Sequence, residues 1–71
     1  MTAKPWNDAE ANRELNYIES IDPADPGDNF NNDTECFARY CVMQSNKAKH
    51  SGKHVVGAAI ARHARNQFPQ S

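Results

Sequence analysis

Lys47-Ala48-Lys49-His50-Ser51-Gly52-Lys53-His54 separates two runs of helical periodicity and marks the joint of a helical hairpin. Ser51-Gly52 is a stop signal, because glycine tolerates the left-handed conformation in which helices commonly end. Lys47, Lys49 and His50 just before it suit the negative end of a helix dipole. Downstream, Val56, Ile60, Ala64 and Phe68 recur at helical spacing, with Gly57, Ala61 and Ala64 as a strip of small residues beside them. That strip invites close approach of a neighbouring helix, at some cost in propensity at Gly57. Upstream, Phe37, Cys41, Gln44 and Ala48 share one stripe, with Tyr40 alongside. The spacing predicts helices over about 33–50 and 53–67, joined by a tight Ser-Gly turn. Pro69 ends the second of them.

Working further outward, Asn32 or Asp33 starts the upstream helix, with Glu35 completing a capping box if Asn32 is the cap. Before it lies Asp22-Pro23-Ala24-Asp25-Pro26-Gly27-Asp28-Asn29-Phe30-Asn31-Asn32, a connection by composition. It is long for a helical bundle, and Phe30 is its expected anchor to the core. A first helix over about 7–21 opens with Asn7 as cap, Glu10 at the capping-box position and Trp6 placed to staple onto Ala11. Ala11, Leu15 and Ile18 give it an apolar stripe, from which Tyr17 departs. The expectation is an all-α fold: one domain spanning 1–71, three helices and a long acidic Pro/Asp connection before the last two.

Size limits what such a fold can do. Seventy-one residues support one core, and only one leucine, three isoleucines, three valines and six aromatics are available to build it. Homodimerisation, or completion of the core by a partner, would remedy so thin an interior. No apolar run approaches a membrane span, and Met1-Thr2-Ala3-Lys4-Pro5-Trp6-Asn7-Asp8 has no apolar stretch of the kind that directs secretion. With only two cysteines, Cys36 and Cys41, the expected setting is the reducing cytoplasm.

The net charge of -1 conceals a division. All nine acids lie within residues 1–35, opposed there by Lys4 and Arg13 alone, which leaves −7. From Cys36 onward there is no acid, and six bases give +6. Either the halves neutralise each other within the chain, or each keeps an outward face for a partner of opposite sign.

Known chemistries fit poorly. Cys36 and Cys41 followed by His50 and His54 have the residue types of a structural zinc site. Their spacing is short in the middle, and Cys36 and Cys41 diverge by about 140° on a helix, so no metal and no other cofactor is expected. Asp22, Asp25 and Asp28 do not match a calcium loop, and Asn32-Asp33-Thr34 is a glycosylation sequon without a secretory context. No phosphate loop, nucleophile elbow or metalloprotease motif is present. His63 reads as a partly buried edge residue beside Ile60 and not as a catalytic base, and the chain is expected not to be an enzyme.

The function these readings favour is a charge-polarised interaction module, an adaptor or inhibitor of a protein with a basic surface, such as one that binds nucleic acid. Glu14, Tyr17, Asp22, Asp25 and Asp28 form its expected partner face. Tiny acidic-faced chains without catalytic motifs resemble, at the level of class alone, phage-encoded inhibitors such as anti-CRISPR proteins. No motif here carries that resemblance. The alternative is a helix-turn-helix-like nucleic-acid binder, with Lys53, Arg62, Arg65 and Asn66 on the third helix. The third reading is the zinc domain.

Overall fold

The computed structural model describes residues 5–68. Pro69, expected to end the last helix, and residues 1–4, on which the reading of the N-terminal stretch partly rested, lie outside the described residues. Among the described residues, three α-helices and one 3-10 turn make an all-helical fold: α1 (Asp8–Ser20), the turn Asp28–Phe30, α2 (Thr34–His50) and α3 (His54–Gln67). Four helix ends sit one residue inside the expected spans because Asn7, Ile21, Asp33 and Lys53 serve as caps, while α2 and α3 end at His50 and Gln67 as expected.

α1 opens with a reciprocal capping box. The Glu10 amide donates to Asn7 Oδ1 at 2.8 Å, and the Asn7 amide donates to Glu10 Oε1 at 3.0 Å. Trp6 reaches the far end of α2, where its amide donates to Ser51 Oγ at 3.0 Å and its ring lies 5.1 Å from Lys47 Nζ. α2 decides between the two expected caps. Asp33, and not Asn32, is the cap, accepting from the Glu35 amide at 2.9 Å. Asn31 and Asn32 both take left-handed backbone (φ 54° and 53°), which bends the chain into the helix start. The Glu35 side chain instead pairs with Arg39 at 3.1 Å.

The α2–α3 turn closes as Ser51-Gly52 predicts. The Lys53 amide donates to the Ala48 carbonyl at 2.8 Å and the Gly52 amide to that of Lys49 at 3.0 Å, with Gly52 at φ 76°. This double bond pattern satisfies carbonyls that the helix end leaves open.

Ile18, Phe30, Phe37, Cys41 and Ile60 form the buried cluster, with Leu15, Tyr40, Val56 and Phe68 among the half-buried residues packed on it. Phe30 and Phe37 have ring centroids 5.1 Å apart, and Phe37 and Phe68 5.7 Å. α2 buries Phe37, Cys41 and Ala48 as expected, but Ser45 takes the inner place assigned to Gln44. The reason is hydrogen bonding: buried Ser45 Oγ donates to the Gly57 carbonyl at 2.8 Å. A Cβ on Gly57 would lie 2.8 Å from Lys49 Cγ and 3.0 Å from the Ser45 carbonyl oxygen. The small-residue strip therefore sets the α2–α3 distance.

Contacts at the helix ends fix their directions. Trp6 to Ser51 and Lys53 Nζ to Asp8 Oδ1 at 2.8 Å bring the start of α1 to the α2–α3 turn. At the opposite end, Thr34 Oγ1 donates to the Pro23 carbonyl at 2.7 Å, tying the start of α2 to the connection after α1. α1 and α3 thus run one way and α2 the other.

Candidate interaction surfaces

This topology gathers six of the nine acids at one end, while α3 returns cations to that same end. The connection end gathers Glu19, Asp22, Asp25, Asp28, Asp33 and Glu35, and with them Arg39 of α2 and Arg62 and Arg65 from the last turns of α3. The turn end gathers Lys47, Lys49, His50, Lys53 and His54 against Asp8 and Glu10. Two ion pairs occur among the described residues: Glu35–Arg39 within α2, and Asp8–Lys53 across the turn end. Outside these two pairs, no charged side chain of either end has an ion-pair partner among the described residues.

The acidic connection is held in shape. Asp22 Oδ1 accepts from the Ala24 amide at 2.9 Å, and the Asp25 amide donates to the Asp22 carbonyl at 3.0 Å. Asn32 Nδ2 donates to Asp28 Oδ1 at 3.3 Å, while the Asn32 amide donates to the Gly27 carbonyl at 2.9 Å. Pro26 and Phe30 are buried beneath it. Asp22, Asp25 and Asp28 stay exposed on this frame, and none forms an ion pair among the described residues.

Glu14 and Tyr17 are placed differently from those aspartates. Glu14 is half-buried; it accepts a short hydrogen bond from the Tyr40 hydroxyl and another from Gln44 Nε2 at 2.9 Å. Its carboxylate holds α1 to α2 and is only partly turned outward. Tyr17 is exposed, its ring edge-on to that of Tyr40 at 6.4 Å, and its hydroxyl accepts from Asn29 Nδ2 at 3.4 Å. Burial, and then the hydrogen bond to Glu14, raise the Tyr40 pKa well above the ordinary phenol value.

The residues considered for nucleic acid do not form one patch. Lys53 is engaged by Asp8, which it holds below the usual carboxylate range. Arg62, Arg65 and Asn66 are exposed toward the other end of α3. Between them the outer face of its first two turns offers Val55, 85% exposed, and Ala58.

The zinc quartet is also dispersed. Cys41 is buried and Cys36 half-buried in the first half of α2, whereas His50 and His54 are exposed at the turn end. Cys41 and His50 are about 13 Å apart along the helix axis at 1.5 Å per residue. Among the described residues no group of three or more His, Cys, Asp or Glu converges. Burial, reinforced by the Glu14 charge, pushes the Cys41 thiol from 9.0 up to about 11, so it is neutral and a poor nucleophile at pH 7. His63 is half-buried, and its Nε2 is shielded from solvent without a hydrogen-bond partner among the described residues, so no dyad forms there.

Sequence reasoning missed an apolar surface. Val42 and Met43 on α2 are 56% and 65% exposed and stand between two grooves. One groove, of about 300 Å³, runs between α2 and α3, floored by Val42, Ala61, Ala64 and Phe68 with Lys49 and Arg65 at its margin. The other is lined by Tyr17, Phe30, Tyr40 and Met43. The signal was available: Val42 and Met43 fall off the Phe37–Cys41–Ala48 stripe, as Tyr17 falls off that of α1.

Comparison with known proteins finds no matching family model, no matching curated protein and no matching solved structure. Among the described residues no helix is long and apolar enough to cross a membrane.

Proposed function

We propose that this chain is a non-enzymatic interaction module that uses its acidic connection to engage a basic surface on a partner protein, as an adaptor or an inhibitor. The observation that supports the reading is Asp22, Asp25 and Asp28 standing exposed on a hydrogen-bonded frame, without ion pairs among the described residues. A pre-shaped acidic surface loses little conformational freedom on binding, and complementary charge speeds the encounter. Tyr17 at the border of this end supplies an aromatic contact of the kind that prolongs residence. A basic surface that otherwise holds nucleic acid is the favoured target, which is the mode expected of a phage- or mobile-element-encoded inhibitor acting in the cytoplasm.

The test is charge reversal. Asp22→Lys/Asp25→Lys/Asp28→Lys should abolish recovery of the dominant cross-linked partner from the native host, with helix content unchanged by circular dichroism. Undiminished recovery would refute the acidic face. Glu14 is left out of the reversal because its loss would disturb the docking of α1. The competing nucleic-acid reading predicts duplex binding that weakens steeply with salt and is lost in Arg62→Ala/Arg65→Ala. Val55 and Ala58 on the outer face of α3's first two turns, where a base-reading helix needs long polar side chains, favour the protein-binding reading instead.

A further inference from the structure

From the apolar groove between α2 and α3 and the cations at its margin, we infer a second docking site, for an acidic amphipathic helix of a partner protein. The site is separate from the acidic connection: among the described residues no residue of α1 or of 21–33 lines the groove. On α2, the lining positions Ala38, Val42 and Lys49 lie on the opposite side of the helix from Tyr40 and Gln44, which meet α1. α1 thus covers one side of the α2–α3 pair and leaves the other open. Two antiparallel helices present ridges and a furrow into which a further helix packs, anchored by apolar residues at i, i+3 or i+4, and i+7.

Charge selects the occupant. The charged residues lining the groove are Lys49 and Arg65, both exposed, both positive and neither in an ion pair among the described residues. An apolar helix face flanked by glutamates or aspartates would bury Val42 while its acids meet these two cations. A second copy of the chain fits less well. Two such faces joined about a two-fold axis would bring four cations to one interface, and an acidic connection entering the groove head-to-tail would build an open chain of copies.

The probe is a lactam-bridged, fluorescein-labelled helical peptide with leucines at i, i+4, i+7 and i+11 and glutamates elsewhere. A counterpart carries lysine for every glutamate. The full-length chain should bind the glutamate peptide saturably, with amide shift changes in the wild-type protein centred on Val42, Ala61 and Ala64. Val42→Glu, and separately Lys49→Glu/Arg65→Glu, should each weaken binding about ten-fold or more, the equivalent of about 1.4 kcal/mol. The triple lysine variant of Asp22, Asp25 and Asp28 should bind unchanged, so this site and the acidic face fail independently. Absence of saturable binding, equal binding of the lysine peptide, or shift changes confined to other surfaces would overturn the inference. So would displacement of the peptide by duplex DNA, or a wild-type dimer in sedimentation that Val42→Glu dissociates.

Discussion

The two seams of this molecule are built on opposite principles. α3 meets α2 through atoms that are missing: Gly57 lacks a Cβ where one would strike Lys49 Cγ and the Ser45 carbonyl, and Ala48 lies buried on the α2 side. α1 meets α2 through atoms that are present in particular places: the Glu14 carboxylate, the Tyr40 hydroxyl and the Gln44 amide. A seam of small residues resists anything larger. A seam of hydrogen bonds resists any change of chemistry or of protonation.

That contrast breaks most visibly at Gly57. Gly57→Leu should destabilise the chain by about 3 kcal/mol in urea unfolding, since an overpacked interior must move backbone as well as side chains. A neutral outcome would mean that the α2–α3 distance is set elsewhere. Tyr40→Phe probes the other seam. It should cost about 1–2 kcal/mol, because Glu14 and Gln44 lose a partner while the ring is kept. The same variant separates the two seams by their response to pH. Tyr40 and Cys41 both hold their protons more tightly folded than unfolded, so their contribution is complete below pH 9 and is lost as pH rises. For Cys41 that loss spans pH 9.0 to about 11. Wild-type melting temperatures should therefore fall over this window, and Tyr40→Phe should fall less steeply above pH 10.0, where the Tyr40 contribution begins to be lost.

The smallest effect is expected at Asp8. Its folded pKa is depressed from 3.8 by Lys53, so its contribution is present above pH 3.8 and disappears as pH falls through the lower folded value. Asp8→Asn should flatten that acid limb and leave the melting temperature at pH 7 nearly unmoved, because the carboxylate is exposed to screening solvent.

These seams were unequally legible in the sequence. The first could be read directly, because Ser51-Gly52, Gly57 and the Val56–Ile60–Ala64–Phe68 spacing are local signals of a helix stop and a close approach. Asn7 with Glu10 was equally local. The second seam was opaque. Gln44 was assigned to the interior by its place on the stripe, yet its amide meets Glu14 of α1 while Ser45 goes inside to cap a carbonyl of α3. Both choices depend on partners far along the chain. Lys53 groups with the possible nucleic-acid contacts in sequence for the same reason, since its neutraliser Asp8 is brought near only by the fold. Glu14 was counted with the outward acids because composition records charge and not direction. Asn32 lost the cap to Asp33 once two successive residues adopted left-handed backbone, a choice that spacing does not encode.

Trp6 lends the molecule an optical use. It is the chain's single tryptophan, seated under the Lys47 ammonium at the junction of α1 with the α2–α3 turn. Excitation of one indole therefore reports on one event, the lifting of α1 from the helical hairpin. Its emission would follow that opening in real time without any dye attached to the chain.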